Sequence, residues 1–101
     1  MKTYRQGDVF LIRDDSAKPG KPIARENGRV VLAHGELTGH AHAISAKGAE
    51  LFEAEIDRVL KVTKTVALKH EEHDTVKLPP GNYRVRIQRE YSPEAIRNVA
   101  D

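Results

Sequence analysis

All five histidines of this chain fall in two short segments, His34-Gly35-Glu36-Leu37-Thr38-Gly39-His40-Ala41-His42 and His70-Glu71-Glu72-His73. Neutral imidazole is a good donor to divalent first-row metals. His40 and His42 are two residues apart, so a strand would turn both to one face, about 6–7 Å apart along the chain. His70 and His73 are three apart; they diverge on a straight strand and converge across a turn. If the two segments meet, three imidazoles and a carboxylate can surround one ion. That donor set suits zinc, iron, manganese, nickel or copper, with a water in an open position. His34, His40, His42, His70 and His73 are therefore the candidate metal ligands. Glu36, Glu71 and Glu72 are the nearest carboxylates, and Glu36 is the candidate catalytic base on a metal-bound water. With such a base the centre would serve a metal-dependent enzyme. Without one it would be a metal- or small-ligand-binding site. Gly35 and Gly39 bracket Glu36 to Thr38 and allow a sharp turn or a close approach to a ligand. Two plainer readings compete: a satisfied polar network in a β cleft, and surface histidines with Glu71 and Glu72 as solvated turn residues.

Other chemistries have less support. Cysteine is absent, which removes disulfides, thiolate zinc sites and cysteine nucleophiles. Ser16, Ser45 and Ser92 lack a glycine elbow, and there is no phosphate-binding glycine loop. Lys and Arg total 17 against 15 acids, a net charge of +2, which is no general signal for nucleic acid. A local stripe keeps that alternative open. Arg84 and Arg86 share one strand face, with Arg89 and Tyr91 just beyond and Lys77 across a turn. Such a row can follow phosphates and stack a base. A non-catalytic interaction module, homodimeric through a terminal helix, is a third alternative. The start of the chain has no signal-peptide run, and no stretch approaches the roughly 20 apolar residues of a membrane span. The expectation is a cytoplasmic protein whose partners are a metal or small-molecule ligand, with no membrane.

The elements that must position these residues are short. Gly, Pro and Asn punctuate the chain densely, with no internal repeat and no linker, which indicates one β domain over residues 1–101. The fold class expected is mainly β: a small antiparallel β-barrel or sandwich of about seven or eight strands, with a short C-terminal helix. Asp8 to Ile12 opens the first strand, and its continuous apolar run predicts burial on both faces. Asn27-Gly28 is a tight-turn pair that would join a strand at Ile23–Arg25 to one at Arg29–Ala33. His40 to Ser45 reads as a strand. Val59–Thr63 and Val66–His70 follow, with a short helix over Glu50–Asp57 as the alternative to strand. Val76-Lys77-Leu78 leads through Pro79-Pro80-Gly81-Asn82 into an alternating strand with Tyr83, Val85 and Ile87 inward and Arg84 and Arg86 outward. Val9, Leu11, Val31, Val85 and Ile87 form the expected core. Ser92-Pro93-Glu94 caps the terminal helix, Pro93 to Ala100, whose Ala95, Ile96 and Val99 would face the barrel.

The motifs His34-Gly35-Glu36-x-Thr38-Gly39-His40-x-His42, His70-x-Glu72-His73, Leu78-Pro79-Pro80-Gly81-x-Tyr83-Arg84-Val85 and Gln88-Arg89-Glu90-Tyr91 together resemble a family of short bacterial and phage proteins of no assigned activity. That resemblance runs from Tyr4-Arg5-Gln6-Gly7-Asp8 to Ala100-Asp101. A partial resemblance to cupins rests on His40-x-His42 and Pro79-x-Gly81. Cupins are small β-barrels that hold a metal with a His-x-His pair, a glutamate and a later histidine. Here Ala46 or Lys47 stands where the cupin glutamate would be, Arg84 stands where the later histidine would be, and His70 and His73 precede the proline turn. The likeness therefore implies fold class only, with a different metal shell. The opening Gly7 to Ile12 is also similar to the first strand of SH3-like barrels that bind or cut RNA.

Overall fold

A computed structural model describes residues 2–35, 37 and 39–88. The first two strands form a hairpin. β1 (Thr3–Gln6) and β2 (Val9–Arg13) pair antiparallel around Gly7-Asp8, with Gly7 at φ +59°. Two-residue hairpin loops need such positive φ, which glycine adopts without penalty. The outer edge of β2 takes β10 (Gly81–Ile87), followed by β7 (Arg58–Val62), β6 (Ala49–Phe52) and β3 (Pro22–Ile23). The result is one antiparallel six-stranded sheet in the order β1-β2-β10-β7-β6-β3. The remaining strands form two ribbons, β4 (Val30–His34) with β5 (Ala41–Ile44) and β8 (Val66–Leu68) with β9 (Val76–Leu78). The ribbons meet where Ala43 and Lys69 exchange backbone N–H···O bonds of 3.0 and 2.9 Å.

β1 packs against β9 and β4 against β6, so the ribbons cover the large sheet. The architecture is a small antiparallel β sandwich. No described segment is helical and no sheet closes into a barrel. No described helix is long and apolar enough to cross a membrane. Val9 and Leu11 of β2, Leu60 of β7, and Tyr83 and Val85 of β10 meet Leu32, Ile44, Leu68 and Leu78 from the ribbons in one core. Ala41 and Ala43 join Val31 in a separate small cluster. Because side chains alternate along a strand, β5 is buried on both faces: the alanines face one way, and His42 and Ile44 the other.

Several sequence expectations change. β1 precedes the strand taken as first; its only sizeable apolar side chain is Tyr4. In β2, Val9 and Leu11 are fully buried, while Phe10 and Ile12 are half-covered. Glu50–Asp57 is not helical. Ile56 is 81% exposed, while Leu51 is buried in β6. The Asn27-Gly28 turn forms, at φ 51° and 78°, but pairing around it stops at Glu26 and Arg29. The Ile23 segment pairs instead with β6, placing Ile23 opposite Leu51 against the core. Arg25 binds the carbonyls of Gly28 and Ala46, at 2.8 and 2.9 Å. Pro79-Pro80 carries the chain from β9 in a ribbon to β10 in the large sheet. Lys77 therefore pairs with Ala67 and does not lie across a turn from Arg84. β8 ends at Leu68, and Ile87 is only partly buried. The predicted helix from Pro93 to Ala100 lies outside the described residues.

Two outcomes follow for stability. Leu60 is fully buried, so Leu60→Ala should cost about 2–5 kcal/mol in denaturant unfolding, and Ile87→Ala clearly less. The Asp14 carboxylate accepts from Ser16 Oγ and Arg84 Nε, both at 2.6 Å, and its pKa is lowered from 3.8 to about 2. A depressed carboxyl pKa stabilises the fold above 3.8, and that contribution is lost as pH falls from 3.8 through 2. Asp14→Asn should remove the part of the acid-unfolding slope in that window, read by circular dichroism against pH.

Candidate metal centre

The Ala43–Lys69 bond pair brings the two histidine segments together. It fixes His42, one residue before Ala43, beside His70, one residue after Lys69. The β4–β5 connection folds back through Gly35 N–H to His40 O, at 2.8 Å, which returns His40 to the same end of the sandwich. The His70 ring centre lies 4.3 Å from His42, 4.7 Å from His73 and 5.8 Å from His40. These four histidines line one cleft of about 830 Å³. His34 borders the cleft too, but its Nε2 lies 3.0 Å from Glu26 Oε1 and its side chain is 67% exposed. The proposed base Glu36 lies outside the described residues.

One group of donors converges. A ligand atom from each of His40, His70 and Glu71 lies within 4.8 Å of the others. Zinc ligands sit about 2.0–2.2 Å from the ion, so these donors must draw in by roughly 1 Å or more around a shared ion. Glu71 is held in its ionised form. Its Oε1 accepts the Ala41 backbone N–H at 2.9 Å, and this bond, before any other influence, lowers its pKa. Glu72 also borders the cleft, with Oε1 3.9 Å from His40 Nδ1. His70 Nδ1 accepts the Glu72 backbone N–H at 3.0 Å, so a neutral His70 carries its proton on Nε2. Ligation through either nitrogen of His70 requires that hydrogen bond to give way.

His42 is set up differently. Its side chain is 3% exposed, and its Nδ1 lies 2.9 Å from Oε1 of Gln6, itself 2% exposed. The Gln6 amide nitrogen donates to Leu68 O at 2.8 Å and Asp74 O at 3.0 Å. Two carbonyls on that side settle which end is nitrogen. The oxygen must face His42, and His42 must donate from Nδ1. The neutral ring then keeps its lone pair on Nε2, 3.5 Å from Asp8 Oδ1. Burial, followed by the neighbouring His70, lowers the His42 pKa and favours that neutral form.

Two glycines make room for the rings. A Cβ on Gly35 would sit 2.8 Å from His40 Cβ and 3.1 Å from His70 Nε2. A Cβ on Gly7 would sit 2.8 Å from His73 Nε2 and 3.2 Å from His42 Cε1. Gly35 was legible beside the histidines. Gln6, Gly7 and Asp8 carry no such signal, because nothing local marks a β1–β2 turn as the partner of segments that begin 26 or more residues later.

Within the basic stripe, Arg84 and Arg86 are ion-paired inside the protein. Arg84 Nε bonds Asp14 at 2.6 Å, and an Arg86 guanidinium nitrogen bonds Asp57 at 3.0 Å. Arg89 and Tyr91 lie outside the described residues. The histidine end of the sandwich thus carries the densest uncommitted chemistry among the described residues. Long-range proton–nitrogen spectra at neutral pH should show His42 as the Nδ1–H tautomer and His70 as the Nε2–H tautomer. A His42 ring protonated on Nε2 alone would refute the Gln6 assignment.

No curated protein and no solved structure matches the chain. A family model described as a domain of unknown function, DUF8820, matches residues 5–88, a span that holds the Gln6–Asp8 turn and both histidine segments. The chain belongs to the DUF8820 family.

Proposed function

We propose that this protein binds a divalent first-row metal ion at the histidine end of the sandwich, with His40, His70 and Glu71 as its protein ligands. The observation that carries the reading is the convergence of donors from two segments 30 residues apart, from Ala41 to Glu71, joined by the Ala41 N–H to Glu71 hydrogen bond. Two imidazoles and one carboxylate suit zinc, iron, manganese, nickel or copper better than calcium or magnesium, which prefer all-oxygen shells. Three protein ligands leave at least one position for water or a small ligand, the pattern of reactive sites more than of closed structural ones. His40 and His70 line the open cleft, so that side of the ion would be reached from solvent.

The test is direct. Untagged protein, stripped with chelator and titrated with Zn²⁺ by calorimetry, should bind the ion, and His40→Ala or Glu71→Gln should weaken that binding sharply with the β circular dichroism retained. Failure of the wild type to bind Zn²⁺, Co²⁺, Mn²⁺, Ni²⁺ or Cu²⁺ would overturn the reading. Affinity should drop as pH falls below about 6.5, where protons compete for the imidazoles. Gly35→Ala should lower affinity by about 10-fold or more without removing a ligand, because its methyl would displace both His40 and His70.

A further inference from the structure

The donor atoms of His40, His70 and Glu71 leave one feature of the cleft unexplained: the nitrogen of His42 that faces Asp8. We infer that the cleft contains a second cation subsite, in which His42 Nε2 and the Asp8 carboxylate are the two protein ligands, with the His73 ring stacked beside them. The inference extends the metal reading, but it stands on different residues.

Gln6 decides which nitrogen of His42 carries the proton. Both protons of its amide are taken by backbone carbonyls, so His42 can only donate to it, from Nδ1. Nε2 is then the free lone pair of a ring that is 3% exposed. What it faces is another acceptor, Asp8 Oδ1, 3.5 Å away. Two acceptors at that distance repel unless a proton or a metal ion stands between them. As an N–H···O hydrogen bond the gap is long, since these fall between about 2.7 and 3.2 Å. As the edge of a coordination tetrahedron it fits, because donors about 2.0–2.1 Å from zinc stand about 3.3 Å from one another. An imidazole whose remote N–H is held by an acceptor is also the usual arrangement of a metal-bound histidine.

The surroundings agree. Asp8 sits on the two-residue β1–β2 turn and is 56% exposed, so an ion can reach it from solvent. His73 stacks beside His42 with ring centres 5.8 Å apart. Its Nε2 and His42 Cε1 border the same small space above Gly7, where any larger residue would intrude. The mixed nitrogen and oxygen set calls for the same chemical class of ion as the first subsite, a borderline first-row dication.

The experiment is a Co²⁺ titration at neutral pH, followed by visible absorption and by native mass spectrometry, on the chelator-stripped wild type, Asp8→Ala, His40→Ala and the double variant. Asp8 is an exposed turn residue, so Asp8→Ala should keep the β circular dichroism. The expected result is two ions on the wild type, one on each single variant and none on the double variant. A single ion that is lost with His40→Ala and untouched by Asp8→Ala would overturn the second subsite and leave the first. A single ion lost with either change would merge the two into one site and also overturn it. An ion lost with Asp8→Ala but indifferent to His40→Ala would uphold the Asp8–His42 subsite and remove the first. A wild type that binds no Co²⁺ would overturn both.

Discussion

The Gln6 side chain ties together the parts that make this end of the molecule. It is buried, and all of its amide hydrogen bonds are made within the protein: to Leu68 O at the end of β8, to Asp74 O before β9, and to the His42 ring in β5. A buried amide left unpaired costs on the order of 1–3 kcal/mol, so the arrangement is close to all-or-none. When it forms, β1 of the large sheet is joined to both ribbons at the point where the ribbons join each other through Ala43 and Lys69. The backbone pair sets the register, and the amide sets the ring. Neither alone would place a buried imidazole at a chosen distance from a carboxylate on a different hairpin.

A histidine that is 3% exposed needs a reason to be there, since Ala41 and Ala43 on its own strand bury with no polar group to satisfy. The Gln6 bond satisfies one ring nitrogen, and the cleft receives the other. The rest of the charged surface follows a different rule. Arg84 with Asp14 and Arg86 with Asp57 pair on the outer face of the large sheet, and Arg13 pairs with Asp15 at the end of β2. Those pairs leave the basic residues of β10 neutralised. The histidine end differs because its ring nitrogens and carboxylates converge on a cleft and are not paired off one by one.

Much of the scaffold was legible in the residues. Alternation in Tyr83, Val85 and Ile87 gave the inward face of β10, and dense turn signals gave a β domain of short strands. The histidine clusters marked the end of the molecule where the cleft lies. Other features were hidden for identifiable reasons. Thr3–Gln6 has little apolar character, because as an edge strand it needs a backbone partner more than a buried face. Glu50–Asp57 mimics helical spacing through Ile56, which solvent takes instead. The strand order could not be read, since Pro79-Pro80 looks the same whether it turns a hairpin or moves the chain between layers. Gln6 and Asp8 gave no signal, because a glutamine that orients a histidine 36 residues away is indistinguishable in sequence from a surface glutamine.

The opposite tautomers of His42 and His70 give the two rings different standing as ligands. His42 offers Nε2 with no internal competitor, its proton already placed on the far nitrogen by Gln6. His70 has its Nδ1 lone pair occupied by the Glu72 N–H, and its Nε2 carries the proton. Recruiting His70 breaks one exposed hydrogen bond, whose net worth is about 0.5–1.5 kcal/mol. That is roughly tenfold in affinity at most. Metal–ligand free energies in small protein sites run to about 10 kcal/mol or more, so in the proposed site the bond to Glu72 would lower the affinity of His70 without preventing its ligation. The turn at His70–His73, exposed at Glu71, Glu72 and His73, can absorb the small movement that ligation asks of it. His42 cannot move, since strand pairing on one side and the Gln6 amide on the other hold it. The cleft thus combines a nitrogen fixed by strand pairing and Gln6 with nitrogens on an exposed turn, and an ion bound as proposed would meet the first ready-made and draw in the second.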